Sequence, residues 1–206
     1  MEDFQFILEL IGAAAFAVSG AALGIQKGMD MLGVAMMGMT TAVGGGMLRD
    51  VLLGVTPPSA LLDPTQAILA IVVSLLLFFL HKSRRLKLEI RGTEFLLMLT
   101  DSIGLGIFTV HGVSVCARAG MAGHIFLTLL LSVLTGVGGG LLRDVCCMEK
   151  PYIFTKHFYA CASLAGAALC LALWPLGSTL AMLSGSALTV ALRLCAAHFR
   201  WSLPKS

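Results

Sequence analysis

The chain has 206 residues, of which 58% are hydrophobic and only 12% charged, with a formal net charge of +3. Its mean hydropathy is +0.94. A soluble domain carries roughly twice that share of charge, so the composition sets aside a water-solvated globule and gives an all-α, polytopic membrane protein whose helices satisfy their own backbone in lipid.

Seven apolar stretches follow in chain order, at 4–25, 31–53, 65–80, 94–116, 123–145, 158–176 and 179–192. About 20 apolar residues cross a bilayer core. The third and seventh stretches are shorter and borrow flanking residues. Glu2 and Asp3 precede the first stretch in place of lysines, and no small-residue cleavage site follows cleanly, so it reads as a retained helix. The seven helices group as three, three and one.

The grouping is confirmed by a phrase that occurs twice. Residues 41–51 read TAVGGGMLRDV and residues 135–145 read TGVGGGLLRDV, 94 positions apart. Gly12 with Phe16 and Ser19 is echoed 92 positions later by Gly104 with Phe108 and His111. Glu9 falls opposite Asp101, and Pro57 opposite Pro151. The single transmembrane domain, 1–206, therefore divides into repeat one (1–81), a basic linker (82–91), repeat two (92–177) and a seventh helix (178–200). An odd number of helices per repeat makes the second copy enter the membrane from the opposite face. Inverted repeats of this kind place their sites between the repeats, on interrupted helices.

Charge placement gives the orientation. With the motif residues Arg49 and Arg143 left out, one side holds Arg118 alone. The other holds eleven Lys and Arg residues, among them Lys27, Lys82, Arg84, Arg85, Lys87 and Arg91. The N-terminus is expected outside and the C-terminus in the cytoplasm, in a multi-pass inner-membrane protein. The stretch 82–91 reads either as a topology determinant or as a patch for anionic membrane lipids.

The candidate site begins at Gly44, Gly45 and Gly46 and at Gly138, Gly139 and Gly140. Three glycines in a row cost roughly 3 kcal/mol of helix propensity and free the backbone to bend or unwind. Unwound carbonyls can coordinate a cation, and the restarting helix points its positive end into the same space. Close helix packing through small residues is the other reading. Arg49–Asp50 and Arg143–Asp144 follow the glycines, as a charged pore mouth or as clasps between the repeats. Neighbours along a helix do not face each other, so Arg49 is expected to meet an acid from elsewhere, Asp144 or Asp101. Asp101 and Glu9 are buried acids of matching position, functional candidates by default or hydrogen-bond partners of a helix end. His111, where repeat one has Ser19, is a titrating gate or a satisfied helix contact. Thr40, Thr41 and Thr135 line a polar path or bond back to their own helices.

The six cysteines lack zinc spacing. No metal site, cofactor fingerprint, catalytic constellation or nucleic-acid motif is read from the chain, and an enzyme is not expected. Arg193 is counted among the positive charges of the cytoplasmic side, and Trp174 and Trp201 read as interface anchors.

Two three-helix repeats, each with GGG-x-x-RD-V followed by proline, plus a seventh helix, resemble the bacterial branch of the trimeric intracellular cation channel family, also filed as glycine-transporter-like. The resemblance implies a homotrimer with one water-filled, hourglass-shaped pore in each subunit. It implies bends at Gly44–Gly46 and Gly138–Gly140 and permeation of potassium and sodium. The pore would lie between the first, second, fourth and fifth membrane helices, with Arg49, Asp50, Arg143 and Asp144 near it. Animal members carry a lysine-centred motif where this chain has Leu141, Leu142 and Arg143, so their phosphoinositide binding is not carried over. Glu9 replaces an aspartate usual in the bacterial pattern.

Two function classes remain: a cation channel, and a carrier of a very small amino acid such as glycine. The motif serves both, since a broken helix offers carbonyls to a cation and a dipole to an anion. The lack of an evident bulky-substrate pocket favours the channel.

Overall fold

Helix ends in the two repeats are built alike, which is how one chain folds the same unit twice. Gly28 (φ 71°) and Gly120 (φ 72°) end the first helix of each repeat in the left-handed region. The residue after each donates back across the turn, Met29 N–H to Gly24 O at 3.0 Å and Met121 N–H to Cys116 O at 2.9 Å, closing a Schellman motif. After the second helix the same turn recurs at Gly54 (φ 73°) and at Met148 (φ 54°). Met148 takes a backbone conformation that glycine holds at no steric cost.

The computed structural model describes residues 2–83, 90–155, 158–199 and 201. Its membrane-length helices are α1 (Glu2–Gln26), α2 (Met31–Leu52), α4 (Thr65–Lys82), α5 (Ile90–Arg118), α6 (Ile125–Cys146), α8 (Tyr159–Leu173) and α9 (Ser178–His198). With a 3₁₀ turn at Trp174–Leu176 extending α8, seven described helices are long and apolar enough to span a membrane. Two short helices that hydropathy did not reveal, α3 (Ser59–Leu62) and α7 (Tyr152–Thr155), follow the two motifs at corresponding positions. α5 starts at Ile90, inside the stretch read as linker. The rest of that basic stretch, 84–89, lies outside the described residues, as do Lys156, Arg200 and Lys205.

α1 packs on α5 and α2 on α6, each helix against its counterpart in the other repeat. α4 closes repeat one against α1 and α2, α8 closes repeat two against α5 and α6, and α9 lies on α5 and α8. The centre is small-residue packing. Ala13, Ala17, Ala21 and Ala22 on α1 are fully buried, while Leu32, Leu61, Leu62, Phe79, Phe95 and Phe126 face outward. That inversion of a soluble core is expected where lipid is the solvent and helices gain by close approach.

The triple glycines are part of this packing. Both runs lie within uninterrupted α-helix, so the expected unwinding does not occur. Instead α2 and α6 cross backbone to backbone. A Cβ on Gly45 would lie 2.1 Å from the Thr135 carbonyl oxygen, and one on Gly139 would lie 2.0 Å from the Thr41 carbonyl oxygen. Gly44 is covered by Leu142, and Gly138 by Leu48 and the Gly45 Cα. The physical reason is that a glycine face lets helices meet without side chains between them, which repays the lost propensity.

The crossing predicts unequal tolerance within one motif. Gly45→Ala and Gly139→Ala each force α2 and α6 apart and should cost roughly 1–3 kcal/mol or more, as overpacking does. Gly46→Ala should be nearly neutral, because its added carbon meets only Arg49 Nη2, at 3.7 Å. Thermal unfolding of the three variants in detergent checks this, and equal losses would contradict it.

Candidate ion pathway and its charged clusters

Each RD pair sits at the last turn of its long helix and ties that helix to the short one that follows. Arg49 Nε and Nη2 donate to Asp50 Oδ1 at 2.8 and 2.7 Å. Asp50 Oδ2 in turn accepts the Ser59 N–H at 2.8 Å and its hydroxyl at 2.6 Å, at the start of α3. In repeat two Arg143 Nε donates to Asp144 Oδ1 at 2.9 Å, and Asp144 Oδ2 accepts the Tyr152 N–H at 2.8 Å, at the start of α7. A carboxylate at a helix start satisfies N–H groups that have no partner within the helix. Arg49 thus meets its own chain neighbour rather than a distant acid. A long arginine stem can fold back along the helix surface, which the argument from facing directions left out of account.

Arg143 reaches further. Its Nη1 donates to Asp101 Oδ1 at 2.7 Å and to the Ser19 hydroxyl, so α6 is tied to α5 and α1 at once. The side chains of Arg143 and Asp101 are 1% and 0% exposed. At that depth charges persist only as a hydrogen-bonded set. The Tyr152 ring lies under the guanidinium, 5.1 Å from its carbon. Gly140 leaves room beside this cluster: a Cβ there would come within 2.8 Å of the Tyr159 hydroxyl and 3.3 Å of Asp101 Oδ1.

In repeat one the matching acid, Glu9, does not join its arginine. Its two oxygens go to His111 Nδ1 at 2.9 Å and to Gln66 Nε2 at 2.8 Å. His111 and Glu9 thus link α5 to α1, and Gln66 adds α4.

Between the clusters lies an aromatic layer. Phe16 and Phe108 stack with centroids 5.4 Å apart and ring planes 6° from parallel. Each lies over the glycine preceding the other, since a Cβ on Gly104 would be 2.3 Å from the Phe16 ring and one on Gly12 would be 3.1 Å from the Phe108 ring. Two cavities approach this layer from opposite faces. One, of about 370 Å³, is lined by Glu9, Gly46, Arg49, Asp50, Phe108 and His111. The other, of about 780 Å³, is lined by Leu23, Leu97, Asp144, Glu149 and Tyr152. Along α1, Glu9 lines the first cavity and Leu23 the second, with Phe16 and Ser19 buried between them. At the mouth of the second, Lys27 is bonded to Glu149. That bond holds the Lys27 amine above its ordinary pKa.

Thr41 and Thr135 are fully buried. Their hydroxyls donate to the Met37 and Leu131 carbonyls of their own helices, at 2.7 and 2.6 Å, and Thr40 is half-buried. Of the two readings of Thr41 and Thr135, the back-bonded one describes the structure.

Arg193, counted with the charges of the cytoplasmic side, is buried, 2% exposed. It lies inside α9 with its guanidinium 4.7 Å from the Tyr159 ring centroid. The apolar stretch had been ended at residue 192, which hid it. Tyr152, Tyr159, Gln66 and Ser59 were missed because nothing in their local sequence marks a partner. The stacked phenylalanines were legible as an echo, though not as a contact. The described cysteines are all free, and Cys146 and Cys195 are exposed.

Comparison with known proteins adds to this geometry. A family described as glycine transporter matches residues 6–82 and again 98–175, one match per repeat. An Escherichia coli K12 protein, UPF0126 inner membrane protein YadS, is 34% identical over 200 residues, covering 96% of this chain and 93% of its own. The Bacillus subtilis UPF0126 membrane protein YvgT is 34% identical over 199 residues, covering 96% and 94%. Among solved structures, a prokaryotic TRIC channel in 0.5 M KCl superposes with a TM-score of 0.90 at 28% identity, over 98% of this chain and 100% of that one. The TRIC trimeric intracellular cation channel orthologue from Rhodobacter sphaeroides gives 0.86 at 29%, over 96% and 99%. A structure described for conductance through TRIC cation channels gives 0.83 at 34%, over 97% and 96%.

The unequal arginines predict unequal losses. Arg143→Ala strands Asp101, leaves Asp144 with the Tyr152 N–H, and should cost about 3–5 kcal/mol, the usual penalty for breaking a buried pair from one side. Arg49→Ala should cost less, because Asp50 keeps its bonds from Ser59. A double-mutant cycle with Asp101→Asn, read by thermal unfolding, should recover part of the Arg143→Ala loss. Strict additivity would contradict the clasp.

Proposed function

This chain belongs to the bacterial branch of the trimeric intracellular cation channel family, also described as the glycine transporter family, and on that premise we propose that it is a channel for potassium and sodium, with one pore in each subunit of a homotrimer. The observation that carries the reading is the pair of cavities opening to opposite faces within one subunit, separated by a buried layer that on α5 runs from Leu97, lining one, to Phe108, lining the other. A channel needs a continuous wet path with weak sites, and two facing vestibules leave only that layer to be opened.

In this reading Arg49, Asp50, Arg143 and Asp144 set the charge of the two mouths, and Glu9 and Asp101 supply negative charge along the path. The Phe16–Phe108 stack and the Arg143–Asp101–Ser19 bonds are the barrier. The glycine crossing is the pivot: Gly45 and Gly139 meet the opposite backbone, and the side chains that cross there are Leu142 over Gly44 and Leu48 over Gly138, so α2 and α6 can tilt while the repeats stay joined. Carbonyls freed by unwinding have no part in it.

Planar bilayers containing purified protein should show resolvable potassium currents in up to three substates, one per subunit pore. Phe16→Leu with Phe108→Leu should raise the open fraction several-fold. Silent bilayers, together with glycine counterflow from the same preparation, would replace the channel with a carrier, which must reorganise for each substrate on a microsecond-to-second scale.

We also place this inner-membrane protein with its N-terminus outside, following the charge asymmetry. In a background without native cysteines, Ser83→Cys should label with an impermeant maleimide only from the cytoplasm and Ala119→Cys only from outside. Labelling of both from one face would contradict the inverted arrangement.

A further inference from the structure

Two contacts follow one another along the α1–α5 interface. Phe16 stacks on Phe108 in the buried layer. Glu9 lies two turns before Phe16 on α1, and His111 one turn after Phe108 on α5, so the second pair continues the same helix faces. Glu9 Oε1 and His111 Nδ1 are 2.9 Å apart. The imidazole stands edge-on to the Phe108 ring, with centroids 6.3 Å apart and planes at 89°. The approach to Glu9 is close but not aligned as a hydrogen bond, since Nδ1 has no such partner among the described residues. What the pair is worth therefore depends on charge. A neutral ring offers the carboxylate little, and an imidazolium offers a full opposite charge where water is nearly excluded. Protons have a route to it. Both residues line the 370 Å³ cavity, and the side chains of His111 and Glu9 are 10% and 17% exposed.

We propose that Glu9 and His111 form a proton-operated clasp, in which a proton taken up by His111 from this cavity ties α1 to α5 and holds the Phe16–Phe108 layer shut. Its effect on current rests on the channel reading; the proton site does not. A second consequence has the same sign. The lining sets the carboxylates of Glu9, Asp50 and Asp63 against the guanidiniums of Arg49 and Arg118, an excess of negative charge that draws cations in. A proton on His111 cancels that excess. Around the imidazole, α1 brings Glu9, α2 brings Arg49 and Asp50, the turn before α4 brings Asp63, and α5 itself brings Arg118. No described ionisable group from α6, α8 or α9 enters the lining. The carboxylates favour the proton and the arginines oppose it, and Glu9 is the carboxylate in contact. The lining of the second cavity includes no described histidine, so acid on that face has no such target.

The test has two readouts on the full chain. In detergent, ring-labelled histidines are followed by NMR from about pH 8 to about pH 5, the range in which histidine changes charge. The His111 signal is identified by its loss in His111→Gln. It should titrate, and Glu9→Gln should weaken its proton binding about tenfold, or one pH unit. In planar bilayers, acid on one side alone should lower the potassium current, by about tenfold per pH unit below the midpoint, the slope of one proton. His111→Gln should conduct equally at all these pH values, and Glu9→Gln should move the response by the same one unit. A merely structural role would change the current at every pH and leave its pH dependence in place. His124, at the start of α6 and outside the lining, serves as control: His124→Gln should keep the full response. A His111 signal that does not move, a midpoint indifferent to Glu9→Gln, or an undiminished acid response in His111→Gln would each overturn the proposal. Bilayers silent at every pH, with the Glu9-dependent titration intact, would retire the channel reading and uphold the proton site.

Discussion

Backbone contact between α2 and α6 is the constraint on which the rest of this structure depends. With Gly45 and Gly139 each against a carbonyl of the opposite helix, the two motif-bearing helices lie as close as helices can. That closeness brings Arg143 within reach of both α5 and α1, and it puts Phe16 and Phe108 face to face at the middle of the molecule. Any side chain at the crossing would separate the repeats, and the buried ion pairs, which tolerate little misplacement, would lose their geometry.

Around that contact the molecule is symmetric in backbone and unequal in charge. Both RD pairs cap a short helix through the aspartate, and both threonines bond back at the same turn. Yet Asp101 reaches its arginine, and Glu9 turns to His111 and Gln66. One extra methylene and a histidine in place of serine are enough to redirect the bonds. The result is one closed cluster, tied to α1, α5, α6 and α7, and one that borders a cavity. The seventh membrane helix adds to the imbalance, since Arg193 stacks on Tyr159 at the closed cluster and repeat one has no following helix of its own.

Legibility in the sequence followed the physics of each feature. Helices in lipid need length and apolarity, both local properties, so the membrane helices were read within a few residues of their ends, except that α9 runs six residues past the expected 192. The short helices α3 and α7 were not, since four residues leave no periodic signal. The triple glycines announced a special backbone, but propensity alone could not say whether the chain would unwind or pack. Packing prevailed because two glycine faces meet. The rule that neighbours along a helix point apart misjudged Arg49, since it describes directions at Cβ and an arginine ends far from its Cβ.

By itself, then, the sequence determined that this is a membrane protein, duplicated and inverted, with its special residues in two matching sets. Those conclusions rest on composition, spacing and parity, which need no knowledge of contacts. Tertiary structure alone decided which acid each arginine holds, that Arg193 is buried, and where the two cavities stop. The physical reason is range: a hydrogen bond is settled within a few tenths of an ångström between residues more than a hundred positions apart, as Arg143 and Ser19 are, and nothing local encodes that meeting.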